Sequence, residues 1–281
     1  PSCMAAYQLT GSERAKEAAL LAAKLLASRF QEKGEFIQAW GRMGKTEEYR
    51  FGIDGLLNLS LLYRAAEIAQ DTMYAEIAEK HIKTCLRYSF GENGKAYHSV
   101  YMNKKNGKAV KSVTSQGYHD NSIWARGQAW AVDGTALSFR YTRSSACMKA
   151  FYKALDCYLS ALPKDMVPCW DMTFTDGDEE PRDSTAASIT VCGMLEMAKH
   201  VDRYEHKRLR TLAGQMLKSL ADGYAVKSGP QGVGLVRHGT YSKKSPYNSC
   251  TPEGVDECVT WGDYLYMEAL TRYHRNGEPY W

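Results

Sequence analysis

Asp54 lies in the run Phe51-Gly52-Ile53-Asp54-Gly55-Leu56-Leu57, and no other charged side chain occurs between Phe51 and Tyr63. A carboxyl group in apolar surroundings holds its proton toward neutral pH, because burial disfavours the charged form. That environment suits a general acid. A second stretch, Tyr118 to Trp130, combines His119, Asp120, Trp124, Arg126 and Gln128. Read as a helix, it places Arg126 and Trp130, four residues apart, on one face, with Ser122 on the same stripe. A planar guanidinium beside an indole suits a carboxylate carried on a flat ring. The same pattern also serves a core helix whose Arg pairs with a structural carboxylate.

Asp54, Asp120, Asp183 and Asp256 stand at loop-to-helix entry points 63 to 73 residues apart. If those loops share one mouth, the four carboxylates face one cavity. Asp at a helix start also serves as a cap, a role favoured for Asp183 before Ser184-Thr185 and for Asp120 before Asn121-Ser122. His98 can donate a hydrogen bond to a substrate, whereas His81, His119, His200, His206, His238 and His274 read as structural. No His, Cys, Asp and Glu grouping has ligand spacing, so no metal is expected. Neither a Gly-rich phosphate loop nor a Gly-x-Ser-x-Gly elbow occurs, and no cofactor is expected.

These residues must be carried by a chain of 281 residues with 36 basic and 32 acidic side chains. The length suits one large domain, 1–281, since no linker divides it. A net charge of +4 is too slight to argue for nucleic acid. No apolar run reaches a membrane span. Nineteen Tyr supply platforms for sugars or other flat ligands. The eight Cys lack paired spacing and several fall on apolar helix faces, which points to reduced thiols and a cytoplasmic address, with the periplasm as the alternative. The chain opens on Pro-Ser-Cys rather than Met, which leaves room for a segment before it.

Periodicity predicts a helix from Ser12 to about Gln31, an extended segment at 35–41, and helices from Asp54 and from Asp71 to about Tyr88. A β-hairpin follows, 97–102 with 109–113. Further helices are expected from the Trp124 region, from Ser145 to Leu162, from Thr185 to His200, from Tyr204 to Tyr224, and finally to about Arg275 after a long loop, Lys227 to Val259. Apolar helices alternate with amphipathic ones, as in stacked helix pairs with an inner and an outer ring. The first outer helix has no inner partner in this reading, so an N-terminal portion is expected to be absent.

Five blocks carry a family resemblance: Arg50 to Leu59, Tyr97-His98, Gln116-Gly117 through Arg126-Gly127-Gln128-Ala129-Trp130, Arg182 to Ser188, and Asp256-Glu257-Cys258 through Trp261-Gly262-Asp263-Tyr264. In order and nearly full length, they resemble the unsaturated glucuronyl hydrolases, glycoside hydrolase family 88. The related unsaturated rhamnogalacturonyl hydrolases, family 105, share the Arg-Asp-Ser element and are the alternative, as is a sugar-binding toroid without activity. The resemblance implies an all-α (α/α)6 barrel, here lacking its N-terminal helices, acting on the unsaturated disaccharides left by polysaccharide lyases. It implies hydration of a vinyl ether with Asp54 as general acid/base, and a uronate subsite of Trp40, His98, Gln116, Arg126 and Trp130. The family's second essential Asp, in a His-Asp-x-Gly-Phe-like motif, has no counterpart, so an impaired polypeptide, or one completed from elsewhere, is expected. Members that take sulfated disaccharides carry Ser and Lys after a Gly-x-Tyr element. Here Ser242, Lys243 and Lys244 follow Gly239-Thr240-Tyr241, and Tyr247 stands where the usual Lys would be.

Overall fold

The computed structural model describes residues 2–227 and 234–275. Helices α1 (Ser2–Thr10), α2 (Glu13–Ala27), α3 (Gly55–Ala69), α4 (Thr72–Tyr88), α5 (Ala125–Thr142), α6 (Ser145–Ser160), α7 (Ser184–Met197), α8 (Arg203–Ser219) and α9 (Thr260–Arg275) carry the fold. Strands β1 (Phe30–Gln31) and β2 (Phe36–Ile37) pair with each other. Strands β3 (Arg50–Gly52), β4 (Ser99–Met102) and β5 (Ala109–Val113) form an antiparallel sheet in that order.

Local chemistry sets the helix boundaries. Ser12 accepts from the Ala15 amide at 3.3 Å, Asp71 from Met73 at 3.0 Å and Asp202 from Glu205 at 3.0 Å, each satisfying an orphan donor of a first turn. Gln70 and Arg143 end α3 and α5 in the left-handed region. Burial separates two layers. Every residue of α7 and most of α5 is buried, whereas α4 buries one stripe, Tyr74, Ile77, Ala78, His81, Ile82 and Cys85. Helix α5 packs between α3 and α7, α7 packs against α9, and α2, α4, α6 and α8 back the inner helices. This is the expected architecture of an (α/α) barrel.

The inner helices approach closely where side chains are smallest. A Cβ on Gly134 would meet the Leu56 side chain at 2.5 Å, and one on Gly193 would meet the Asp133 backbone at 2.7 Å. At the C-terminal ends of these helices, Glu196 gathers Arg140 at 3.5 Å, Lys199 at 3.4 Å, His200 at 3.0 Å and Arg272 at 3.7 Å, which holds its carboxyl down at about 2 despite burial. Cations there also suit the negative helix ends.

Several expectations change. Ser2–Thr10 forms α1, packed on α2, so the first outer helix does have a partner before it. This nine-residue segment has no acidic residue in its first turn and exposes Leu9, so its sequence lacks both a start signal and an apolar stripe. The helix from Ser12 stops at Ala27 because Phe30 and Gln31 pair with Ile37 and Phe36. Arg50–Gly52 is a third strand beside the hairpin. Helix α7 tightens into a 3-10 turn at Ala198–His200, and α8 widens into a π turn at Leu220–Tyr224. The Trp124 helix begins at Ala125, so Ser122 lies before it, bonded to Asp171 at 2.5 Å, and shares no helical stripe with Arg126. Part of the expected Lys227–Val259 loop, 228–233, lies outside the described residues.

Gly193→Ala gains about 1 kcal/mol of helix propensity. It also drives a methyl into backbone across the α5–α7 contact, for which overpacking costs about 1–3 kcal/mol. The clash is expected to win, lowering the urea midpoint; a raised midpoint would show that the helices part freely.

Candidate active site

Strand pairing brings the first two site residues together. Gly52 is opposite Ser99, and the Ile53 amide donates to the His98 carbonyl at 2.9 Å, so Asp54 and His98 leave the sheet side by side. Trp40 arrives through Ala39, whose amide donates to the Arg50 carbonyl at 2.9 Å. The Arg50 guanidinium stacks on Trp40 at 4.1 Å. Trp40 meets His98 edge-on at 5.9 Å, and His98 leans on Trp124 at 4.7 Å. The cavity these residues line, about 290 Å³, is completed by Gln116, Arg126, Trp130, Tyr241 and Trp261. Asp54, Arg126 and Trp261 come from the N-terminal ends of α3, α5 and α9, where helix dipoles favour an anion.

Asp54 differs from the other Asp residues at helix starts. Asp71, Asp183 and Asp202 each accept a capping bond, whereas Asp54, at the same position before α3, makes none. Its Oδ1 is sealed from solvent without a hydrogen-bond partner. Burial raises its pKa above the usual 3.8, against weaker pulls from its own and the Gly55 amides and from Arg126. A carboxyl that holds its proton more readily than a free Asp thus lines the cavity without being spent on the helix. His98 is buried and pushed down to about 3, so its ring is neutral, with Nδ1 unpartnered among the described residues.

Arg126 is 3% exposed and heavily engaged. Nη1 donates to Asp183 Oδ2 at 3.1 Å and to the Thr240 carbonyl at 2.6 Å, and Nη2 donates to the Tyr241 carbonyl. The guanidinium lies 4.7 Å from the Trp124 ring and 5.5 Å from that of Tyr241. A guanidinium has five donors. Nε–H and the second Nη2 proton have no described partner. Arg126 thus pairs with a structural carboxylate and also lines the cavity.

A match to the family model described as Glycosyl Hydrolase Family 88 spans residues 2–275. The chain belongs to glycoside hydrolase family 88. Among its relatives, the unsaturated chondroitin disaccharide hydrolase of Streptococcus pyogenes serotype M1 is 42% identical over all of this chain and 69% of its own length. The crystal structure of unsaturated glucuronyl hydrolase from Streptococcus agalactiae superposes with a TM-score of 0.95 at 40% identity, covering 100% of this chain and 70% of that one. That of the Bacillus sp. GL1 enzyme gives 0.92 at 35% identity, covering 98% and 72%.

Other sequence-predicted residues of this family 88 chain fall elsewhere. Asp183 is fully buried, capping Thr185 at 3.2 Å with one oxygen and holding Arg126 with the other. Asp120 is exposed, and Asp256 pairs with His238 at 2.6 Å with a left-handed φ of 61°. The four carboxylates thus do not share one cavity, because the loops before α5 and α9 leave theirs outside it. Ser242 is buried behind the rim, Lys243 pairs with Glu180 at 2.5 Å, and Lys244 is exposed; none lines the cavity. Tyr241, Trp124 and Trp261 do line it and were not singled out as site residues, although each lies beside or within a quoted block. A larger cavity, about 710 Å³, opens beside the π turn. There Lys218 pairs with Asp222, and Arg182 with Asp165 at 3.5 Å, and neither Asp54 nor Arg126 lines it.

A Cβ on Gly52 would stand 2.4 Å from Asp54 Oδ1 and 2.8 Å from the Trp40 ring. Gly52→Ala should therefore fold but displace the acid, and an ångström of misplacement costs on the order of 100-fold in rate; unchanged turnover with unchanged circular dichroism would refute this. Asp54 also bears on stability. Its folded pKa is raised, so between the unfolded value near 3.8 and the folded value the native state holds the extra proton, and stability falls as pH rises through that window. Asp54→Asn should be more stable than the parent above the window and lose that advantage below it, as read by urea midpoints at the two pH extremes.

Proposed function

We propose that this chain is a glycoside hydrolase that cleaves the 4,5-unsaturated uronic acid residue from lyase-generated, glycosaminoglycan-type disaccharides, freeing it in hydrated, ring-opened form. The observation that carries the reading is Asp54: a sealed, uncapped, proton-retaining carboxyl on the same cavity as Arg126 and four indoles. The uronate carboxylate is gripped by the two remaining Arg126 donors, and its flat ring lies against Trp40 or Trp130. Gln116 and His98 line the same cavity and can meet the ring hydroxyls.

Asp54 then delivers its proton to C4 of the vinyl ether. Positive charge develops at C5, water adds there, and the Asp54 carboxylate takes the proton released by that water, restoring the acid. The C5 hemiketal opens to a ketone, and the hemiacetal left at C1 expels the second sugar. One water is consumed and no covalent sugar–enzyme bond is needed, unlike the two-carboxylate routes of ordinary glycosidases. The eight cysteines are unpaired, in keeping with action in the reducing cytoplasm.

Turnover is followed by the loss of ultraviolet enoate absorbance on an unsaturated chondroitin disaccharide. Because the reacting form is the protonated acid, rate should be highest below the raised Asp54 pKa and fall as pH increases through it. Asp54→Asn should abolish turnover while the disaccharide still binds by calorimetry. Binding with no turnover in the parent chain would instead identify a sugar-binding toroid.

A further inference from the structure

Asp54 lines two hollows. Behind the sugar-facing cavity lies another, about 340 Å³, walled by Asp54, Trp40, Gly52, Gly55, Asn58 and His81 among others. His81 comes from α4, an outer helix, yet it is 1% exposed and reaches this inner wall. Its Nδ1 accepts the Ile37 amide at 3.1 Å, which leaves the ring proton on Nε2. Nε2 faces Cys85 Sγ at 3.5 Å, and a Cβ on Gly55 would stand 3.5 Å from it. The Phe51 ring closes the other side edge-on at 5.6 Å. The titratable and charged groups around the imidazole are Cys85 on its own helix, Asp54 before α3, and Arg29 after α2. Arg29 is bonded to the carbonyls of Gln38, Trp40 and Gly41. Burial pushes His81 down to about 3, so the ring is neutral wherever the acid chemistry runs.

Three residues after Ile37 comes Trp40, the indole that stands against Gly52 and Asp54. The intervening backbone is fixed at each step: Gln38 donates to Arg29 at 3.0 Å and Ala39 to Arg50 at 2.9 Å. The peptide that begins this run, the Ile37 amide, is held by an imidazole. We propose that His81 is a positioning residue: as a neutral ring fixed in its Nε2–H form, it fastens Ile37 and thereby holds Trp40 against Gly52 and Asp54. The inference rests on Asp54 being the acid of the proposed reaction. It assigns His81 no contact with substrate.

Two variants separate the hydrogen bond from the bulk of the ring. His81→Asn keeps an acceptor near the Nδ1 position, and His81→Phe keeps a ring but leaves the Ile37 amide unpaired inside the protein. With the full chain carrying carbon-13-labelled Asp, the Asp54 titration midpoint is read by NMR. In His81→Phe it should move toward the ordinary carboxyl value, with kcat reduced about tenfold or more and KM changed about twofold or less, since the loss falls on the placement of the acid. His81→Asn should keep the parent midpoint and rate within about twofold. Equal losses in both variants, or a loss in neither, overturn the proposal.

Should His81→Phe fail to fold, the parent chain decides by long-range proton–nitrogen correlation. A bare Nδ1 with a protonated Nε2, unchanged across the pH range where ordinary histidines titrate, is expected; a protonated Nδ1 overturns the proposal. A parent chain without turnover defeats the activity reading, whereas the NMR measurements still judge His81 on their own.

Discussion

The mouth of the barrel depends on Arg126. One guanidinium ties α5, the start of α7 and the 240–241 loop through Asp183 and two backbone carbonyls. Burying an isolated cation costs several kcal/mol, and this one is tolerated because its acceptors are in place around it. Removing a partner from such a pair costs about 3–5 kcal/mol. Asp183 is fixed from the opposite side, because its second oxygen is the N-cap of α7. Burial pushes the Asp183 carboxyl up, while Arg126 and the surrounding amides pull it back, so the ion and the helix start stabilise one another.

Against that anchored background, Asp54 is the local exception. A sequence consistent at every level would have this residue cap α3, as Asp71 caps α4. Instead the helix start goes without a side-chain cap, and a carboxyl oxygen is sealed in without a partner. The neighbouring strands make this tolerable. Ile53 is held by His98, and the bare backbone of Gly52 gives the carboxyl room that any side chain would take. Under the proposed function, stability is given up at the point where the proton has to be available.

How much of this could be read from the chain alone follows from range. Asp54 was legible because its isolation from other charge is a property of adjacent residues. Arg126 with Trp130 was legible from helical spacing, and the family blocks extended that to Trp40, His98 and Gln116. Arg126 with Asp183, separated by 57 residues, and Lys243 with Glu180, separated by 63, were not, since no local pattern records which elements a barrel brings together. His81 read as structural because its role comes from a bond to Ile37 across 44 residues. The helix pairs were legible by period, whereas α1, too short to show one, and β3, whose partners follow far along the chain, were not.

Two of the three protein groups that hold Arg126 are peptide oxygens, of Thr240 and Tyr241. Peptide oxygens survive exchange of the side chains beside them. A lineage can therefore rewrite the outer rim, residue by residue, and so change which partner sugar is welcomed there, while the grip beneath it is inherited intact.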